Sequence, residues 1–173
     1  MSDARHPDSD DRRESDRRTT ELIPKIEQGI VIDHIPAGRG VHVLAAVRGY
    51  PGMENTLISV GLNYASTKLG KKDILKLSTT NMPDEVIEHV ALVAPRVSIK
   101  RICDYQVDKK YVIEFPQTIS NKLRCRNSNC ITNYEDRVTT VFRCFDSMTR
   151  QVKCGHCERI FFLDELDLIR ATD

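Results

Sequence analysis

Four of the six cysteines stand in two close pairs, Cys125-x4-Cys130 and Cys154-x2-Cys157, with 23 residues between the pairs. Each pair can fold into a tight knuckle whose thiolates converge, and two knuckles supply the four donors that a tetrahedral Zn²⁺ prefers. Asn127, Ser128 and Asn129 inside the first pair and Gly155 inside the second are turn formers, which let backbone N–H groups approach sulfur. Two disulfides are the alternative. The opening residues carry no apolar leader run, so a reducing compartment is expected, and metal ligation is favoured over oxidation. Four sulfurs close the coordination sphere and leave no position for water, so one structural ion is expected rather than a catalytic one. His156 lies between two ligands but is surplus to a filled site. Cys103, in a strand, and Cys144, on an apolar face, are expected to be buried thiols.

Other reactive groups are sparse. There is no Ser/His/Asp arrangement, no suggestive carboxylate pair and no phosphate-cradling glycine loop; Gly38-Arg39-Gly40 is too short to count. Asp33-His34 is one acid–base dipeptide at a strand end. Lys76, Lys100 and Lys110 recur on strands. Strand lysines usually line a solvated face, but three of them can instead converge on one polyanion such as a triphosphate.

The elements that position these groups follow from pattern. Residues 29–35 are a β-branched run closed by Pro36 and read as a strand. Val41, Leu44, Ala45 and Arg48 fall at helical spacing and are ended by Gly49, Pro51 and Gly52. Residues 55–63 and 72–79 read as two further strands. Pro83, Asp84 and Glu85 mark a helix start, Val86, Ile87, Val90 and Ala94 its apolar face, and Pro95 its stop. Residues 97–103 and 106–114 are a fourth and fifth strand. The order β-α-β-β-α-β plus one strand predicts an α+β, ferredoxin-like first domain, an antiparallel sheet with two helices on one face. Beyond it, Val138, Thr140, Phe142 and Cys144 alternate as a strand does, and residues 150–153 and 160–163 can add two more, giving a small all-β module.

The charge is segmental. The 173 residues carry 26 basic and 25 acidic side chains, a net +1, which argues against a wholly basic nucleic-acid binder. Residues 1–19 hold five arginines and six acids with almost nothing apolar, and are expected to be a disordered tail. Residues 122–160 hold eight bases and four acids, a balance of +4. A tail (1–19), a first domain (20–116) and a basic zinc-binding domain (117–173) are therefore expected. No apolar run reaches the roughly 18 residues a membrane helix needs, so no membrane partner and a cytoplasmic location are expected.

The stretches Val31-Ile32-Asp33-His34-Ile35-Pro36-Ala37, Ile58-Ser59-Val60-Gly61-Leu62-Asn63 and Gly70-Lys71-Lys72-Asp73-Ile74-Leu75-Lys76 resemble the regulatory chain of aspartate carbamoyltransferase. Ala94-Pro95, Arg101-Ile102, Asp104-Tyr105, Cys125-Arg126-Asn127-Ser128-Asn129-Cys130-Ile131 and Cys154-Gly155-His156-Cys157-Glu158 continue the resemblance collinearly from about Ile23 to the C-terminus. It implies a non-catalytic allosteric subunit of pyrimidine biosynthesis. Such chains bind CTP, UTP and ATP on the first domain, pair as dimers, and join catalytic trimers through the zinc domain. By position it implies nucleotide contacts from Ile26, Val31, Asp33, His34, Lys76, Tyr105, Val107 and Lys110, with Lys72 near a second nucleotide or its metal. An early family lysine falls on Thr20, and a base-contacting Asn falls on Lys100, so one cation is removed and another restored nearby. Asn127, Asn129, Glu158 and Arg159 match positions at the interface with the catalytic chain.

The competing reading is a zinc-ribbon nucleic-acid-binding protein, on the strength of the knuckle pair and its +4 balance. The knuckle region offers few aromatics for base stacking, so nucleic acid is a poor fit.

Overall fold

The computed structural model describes residues 23–169; the tail expected over 1–19, and Thr20, lie outside them. Strand β1 (Gly29–Pro36) is followed by α1 (Gly40–Arg48), β2 (Ile58–Ser66), β3 (Gly70–Leu77), α2 (Asp84–Val93), β4 (Ser98–Cys103) and β5 (Gln106–Val112). The sheet order is β2-β3-β1-β4-β5, all antiparallel. This is the expected α+β, ferredoxin-like arrangement with one added edge strand.

One face of the sheet is sealed by the helices. Ile32, Ile35, Leu75, Leu77 and Ile99 from the strands meet Val43, Val47, Val86 and Val90 from α1 and α2 in one buried cluster. Pro83 caps α2, and Asp84 and Glu85 sit in its first turn, where carboxylates oppose the helix dipole.

A second, smaller core follows. Strands β6 (Thr118–Ser120), β8 (Val141–Asp146), β9 (Gln151–Cys154) and β10 (Ile160–Phe162) form a sheet in the order β10-β9-β8-β6. Strands β7 (Leu123–Arg124) and β11 (Asp167–Leu168) pair separately. Phe142 is fully buried between Ile119, Leu123 and Val152, with Phe161 edge-on to its ring at 6.4 Å. Leu92 of α2 packs into this second core, so the two units share a seam.

Three expectations shift. The strand expected over 55–63 lies at 58–66, and the one over 72–79 at 70–77, because the two are a hairpin closed by Ser66 pairing with Gly70. That pairing is made by backbone hydrogen bonds and leaves no apolar signature. Cys103, expected buried, is exposed. It ends β4 at a two-residue hairpin turn, where Asp104 (φ 48°) and Tyr105 (φ 62°) both take left-handed backbone.

Candidate functional site

The metal-ligand pairs converge. The sulfurs of Cys125, Cys130, Cys154 and Cys157 all lie within 4.8 Å of one another. Cys125 Sγ is 3.7 Å from Cys157 Sγ, and Cys130 Sγ is 3.9 Å from Cys154 Sγ. A tetrahedron with Zn–S bonds of about 2.3 Å has S···S edges of about 3.8 Å, so the donor set already has the dimensions of a zinc site. The thiols are free, not disulfides.

Local structure explains the convergence. The Cys130 N–H donates to the Asn127 carbonyl (2.9 Å), closing the first knuckle. Asn133 Nδ2 donates to the carbonyls of Cys125 (2.9 Å) and Asn127 (2.8 Å) and ties that knuckle to the turn after it. In the second knuckle Cys154 N–H donates to Arg159 O (2.9 Å) and Glu158 takes φ 60°. Gly155 N–H donates to Val141 O (2.7 Å), an approach so close that an added Cβ would sit 3.0 Å from that oxygen.

Burial pushes the Cys125 thiol above its ordinary range. Burial also opposes ionisation of Cys157, but the Arg159 N–H, the Asn127 side chain and the neighbouring thiols bring it down to about 7. Four sulfurs this close ionise together only around a cation. One metal ion fits, and four cysteines saturate it. His156 is not a ligand: its Nε2 lies 3.0 Å from the Thr139 carbonyl oxygen.

The second candidate site is the sheet face away from the helices. The register places Val31 opposite Lys76 on one side and Lys100 on the other, with Lys100 opposite Lys110. A cross-strand row therefore runs Lys76–Val31–Lys100–Lys110 over three strand spacings, about 14 Å. Beside it, β1 bulges between Ile32 and Ile35, holding Asp33 and His34 (φ 61°). Buried Asp33 accepts from Lys72 Nζ (2.6 Å), Lys100 Nζ (2.7 Å) and the His34 N–H (2.7 Å). Burial works against its charge, but the hydrogen bonds from Lys100, Lys72 and the His34 backbone outweigh it and hold Asp33 well below the usual carboxylate range. Burial likewise holds the His34 imidazole below its ordinary value; Asp33 opposes this, and Lys72 and Lys100 add to it.

The segment before β1 lies across this face. Lys76 Nζ donates to the carbonyls of Ile23 (3.2 Å) and Pro24 (2.6 Å). Ile26 is half-buried, and the Glu27 carbonyl accepts from Tyr105 N–H (3.1 Å). That hairpin tip carries Tyr105 and Val107, both exposed, and Lys110 is exposed further along β5. Two of the four lysines, Lys72 and Lys100, thus hold the Asp33 carboxylate, while Lys76 holds the segment before β1 and Lys110 stands exposed opposite Lys100.

Comparison with known proteins decides the family. A model described as the aspartate carbamoyltransferase regulatory chain, allosteric domain, matches residues 21–114, and one for the metal binding domain of the same chain matches 117–167. The chain belongs to the aspartate carbamoyltransferase regulatory chain family. A relative of that name from Pyrococcus abyssi is 38% identical over 144 residues, covering 83% of this chain and 94% of the relative. Another from Metallosphaera sedula is 40% identical over 145 residues (84% and 91%), and one from Vibrio vulnificus 38% identical over 146 (84% and 94%). The family is one of regulatory rather than catalytic chains.

Around the regulatory-chain metal centre, Asn129, Glu158 and Arg159 are exposed, and Glu158 pairs with Lys153 (3.0 Å). Asn127 is buried instead, its side chain turned to Cys157. Its type was legible in the sequence; its service to a ligand was not. Asp73 is a structural carboxylate that was not among the expected site residues. This fully buried carboxylate accepts backbone N–H groups of Gly38 and Gly40 at Oδ2 (each 2.9 Å) and of Asn63 at Oδ1 (2.8 Å). An acid on the apolar face of a predicted strand was the available signal. Among the described residues no helix is long and apolar enough to cross a membrane.

Proposed function

We propose that this chain binds a nucleoside triphosphate on the outer face of its first sheet, and joins catalytic trimers through its zinc domain. The carrying observation is the row Lys76–Val31–Lys100–Lys110 flanked by Lys72 and His34, with Asp33 its one buried counter-charge. Such an excess of cations beside an apolar strip suits a polyphosphate attached to a base. Lys110, Lys100 and His34 meet phosphate oxygens. Lys72 serves a second nucleotide or its metal. Asp33 and Lys76 read ribose and base, and Ile26, Val31, Tyr105 and Val107 enclose the base.

The division at 20–116 and 117–173 follows the same roles. Zinc would be held by Cys125, Cys130, Cys154 and Cys157, where it supplies cross-linking of two knuckles and no reaction step. A reducing compartment such as the cytoplasm suits four cysteines kept as metal ligands. Asn129, Glu158 and Arg159 beside the knuckles face the catalytic chain, and Asn127 supports them from within. The exposed first-sheet edges pair two such chains as a dimer.

Calorimetric titration of the zinc-loaded chain with CTP, UTP and ATP, beside a single-stranded RNA control, tests this reading. Saturable nucleotide binding that Lys110→Ala weakens by roughly 1.5–3 kcal/mol is expected. Tight RNA binding without nucleotide binding would establish the zinc-ribbon alternative.

A further inference from the structure

The seam between the two units holds a cavity of about 360 Å³, lined by Leu92, Leu123 and Leu163 and crossed by three charged side chains. Asp164, after β10, is within 3.3 Å of Arg39 Nη2 and 3.1 Å of Arg150 Nη1. Arg39 belongs to the β1–α1 turn of the first unit. Arg150 belongs to the β8–β9 turn of the second, takes φ 56°, and sends Nη2 to the Leu92 carbonyl at the end of α2 (2.8 Å). One carboxylate therefore clasps both units over a gap that is not tightly filled.

The clasp connects to the phosphate-binding face through two adjacent residues of β3. Lys72 points outward to Asp33, and Asp73 points inward to Gly38 and Gly40, the residues flanking Arg39. Their register partners are Pro36 and Ile35, so this dipeptide anchors the whole span from Asp33 to Gly40. A polyphosphate competes with Asp33 for Lys72 and Lys100, because both want the same ammonium donors. Because Asp73 holds Gly38 and Gly40, loosening that anchor would free the turn that carries Arg39. The Arg39–Asp164 contact is solvent-exposed, so it is weak enough to open and close.

We infer that the Arg39–Asp164–Arg150 clasp is a two-position link that conveys occupancy of the nucleotide face to the zinc domain. The inference rests on the nucleotide reading above. Its two states are the clasp closed, with Lys72 and Lys100 both on Asp33, and the clasp open, with Lys100 drawn onto phosphate and the Asp33–Lys72 anchor loosened.

The test uses Arg39→Ala, Asp164→Asn and the double variant, each assembled with catalytic chains. CTP binding and the effect of CTP on substrate half-saturation are both measured. CTP still binds each variant. The ratio of half-saturation with and without CTP falls toward one by a factor of about 2 or more in either single variant, the size expected of coupling residues. The double variant loses no more than the singles, and Arg39→Lys restores most of the response. A full response in either single variant overturns the clasp and leaves nucleotide binding standing. Failure of CTP to bind the unsubstituted assembly overturns the nucleotide reading and this inference with it.

Discussion

Lys100 Nζ lies 2.7 Å from Asp33 Oδ2 across the β1–β4 pair. Lys72 reaches the other oxygen of the same carboxylate, so one buried acid restrains two half-buried ammonium groups.

Asp33→Ala removes that restraint and leaves two like charges facing each other with little solvent. A loss of about 3 kcal/mol is expected, at the lower end for a broken buried pair because both lysines keep some exposure. Saturating CTP recovers part of the loss, since phosphate replaces the missing carboxylate. Urea unfolding with and without CTP checks both. An unchanged midpoint would show that the pair carries no net stability.

The imidazoles of His34 and His89 are both held below their ordinary value, each chiefly by burial. A depressed histidine binds fewer protons folded than unfolded, so its contribution is complete above about pH 6.5 and declines as pH falls below it. The slope is at most about 1.4 kcal/mol per pH unit per histidine. The urea midpoint should thus be lower at pH 5.5 than at 7.5. A phosphate beside His34 favours its charged form, so CTP binding near pH 6 should take up protons. Calorimetry in buffers of differing ionisation enthalpy measures that uptake, and His34→Gln should abolish it.

Removing the metal with a chelator or a thiol-reactive mercurial should unfold the zinc domain, because four converging thiols with a small core depend on the ion. Catalytic chains dissociate while nucleotide binding on the first sheet persists. Sedimentation of the treated assembly beside a CTP titration reads both. An intact assembly without metal would refute the docking role.

Asp73→Asn keeps the volume but turns one of two accepting oxygens into a donor facing backbone N–H groups. A destabilisation of about 2–4 kcal/mol is expected, with the β1–α1 turn loosened. Hydrogen exchange at Gly38, Gly40 and Asn63 should rise by more than exchange in α2. Uniform exchange would mean the turn does not depend on Asp73.

Much of this was legible in the sequence where the signal is local. Cysteine spacing and turn chemistry are local, so all four ligands were readable from Cys125 to Cys157. The β-branched run in residues 29–35 and the punctuation around Pro83 placed β1 and α2 nearly as observed. The β2–β3 hairpin and short strands such as Leu123–Arg124 were not legible, because register and backbone pairing leave no apolar pattern. Strand lysines were visible, but not that Lys76, Lys100 and Lys110 share one row, which is set by long-range register. The bridge from Arg39 to Asp164 spans 125 positions and has no local trace.

The proposed role of this chain is to carry a nucleotide signal to a catalytic partner. Reconstitution with catalytic trimers, followed by substrate saturation with and without CTP and ATP, tests it most directly. The half-saturating substrate concentration should shift with nucleotide when the zinc-loaded chain is present, and stay unmoved with trimers alone. Superimposable saturation curves with and without nucleotide, in an assembly shown to contain both chains, would contradict it.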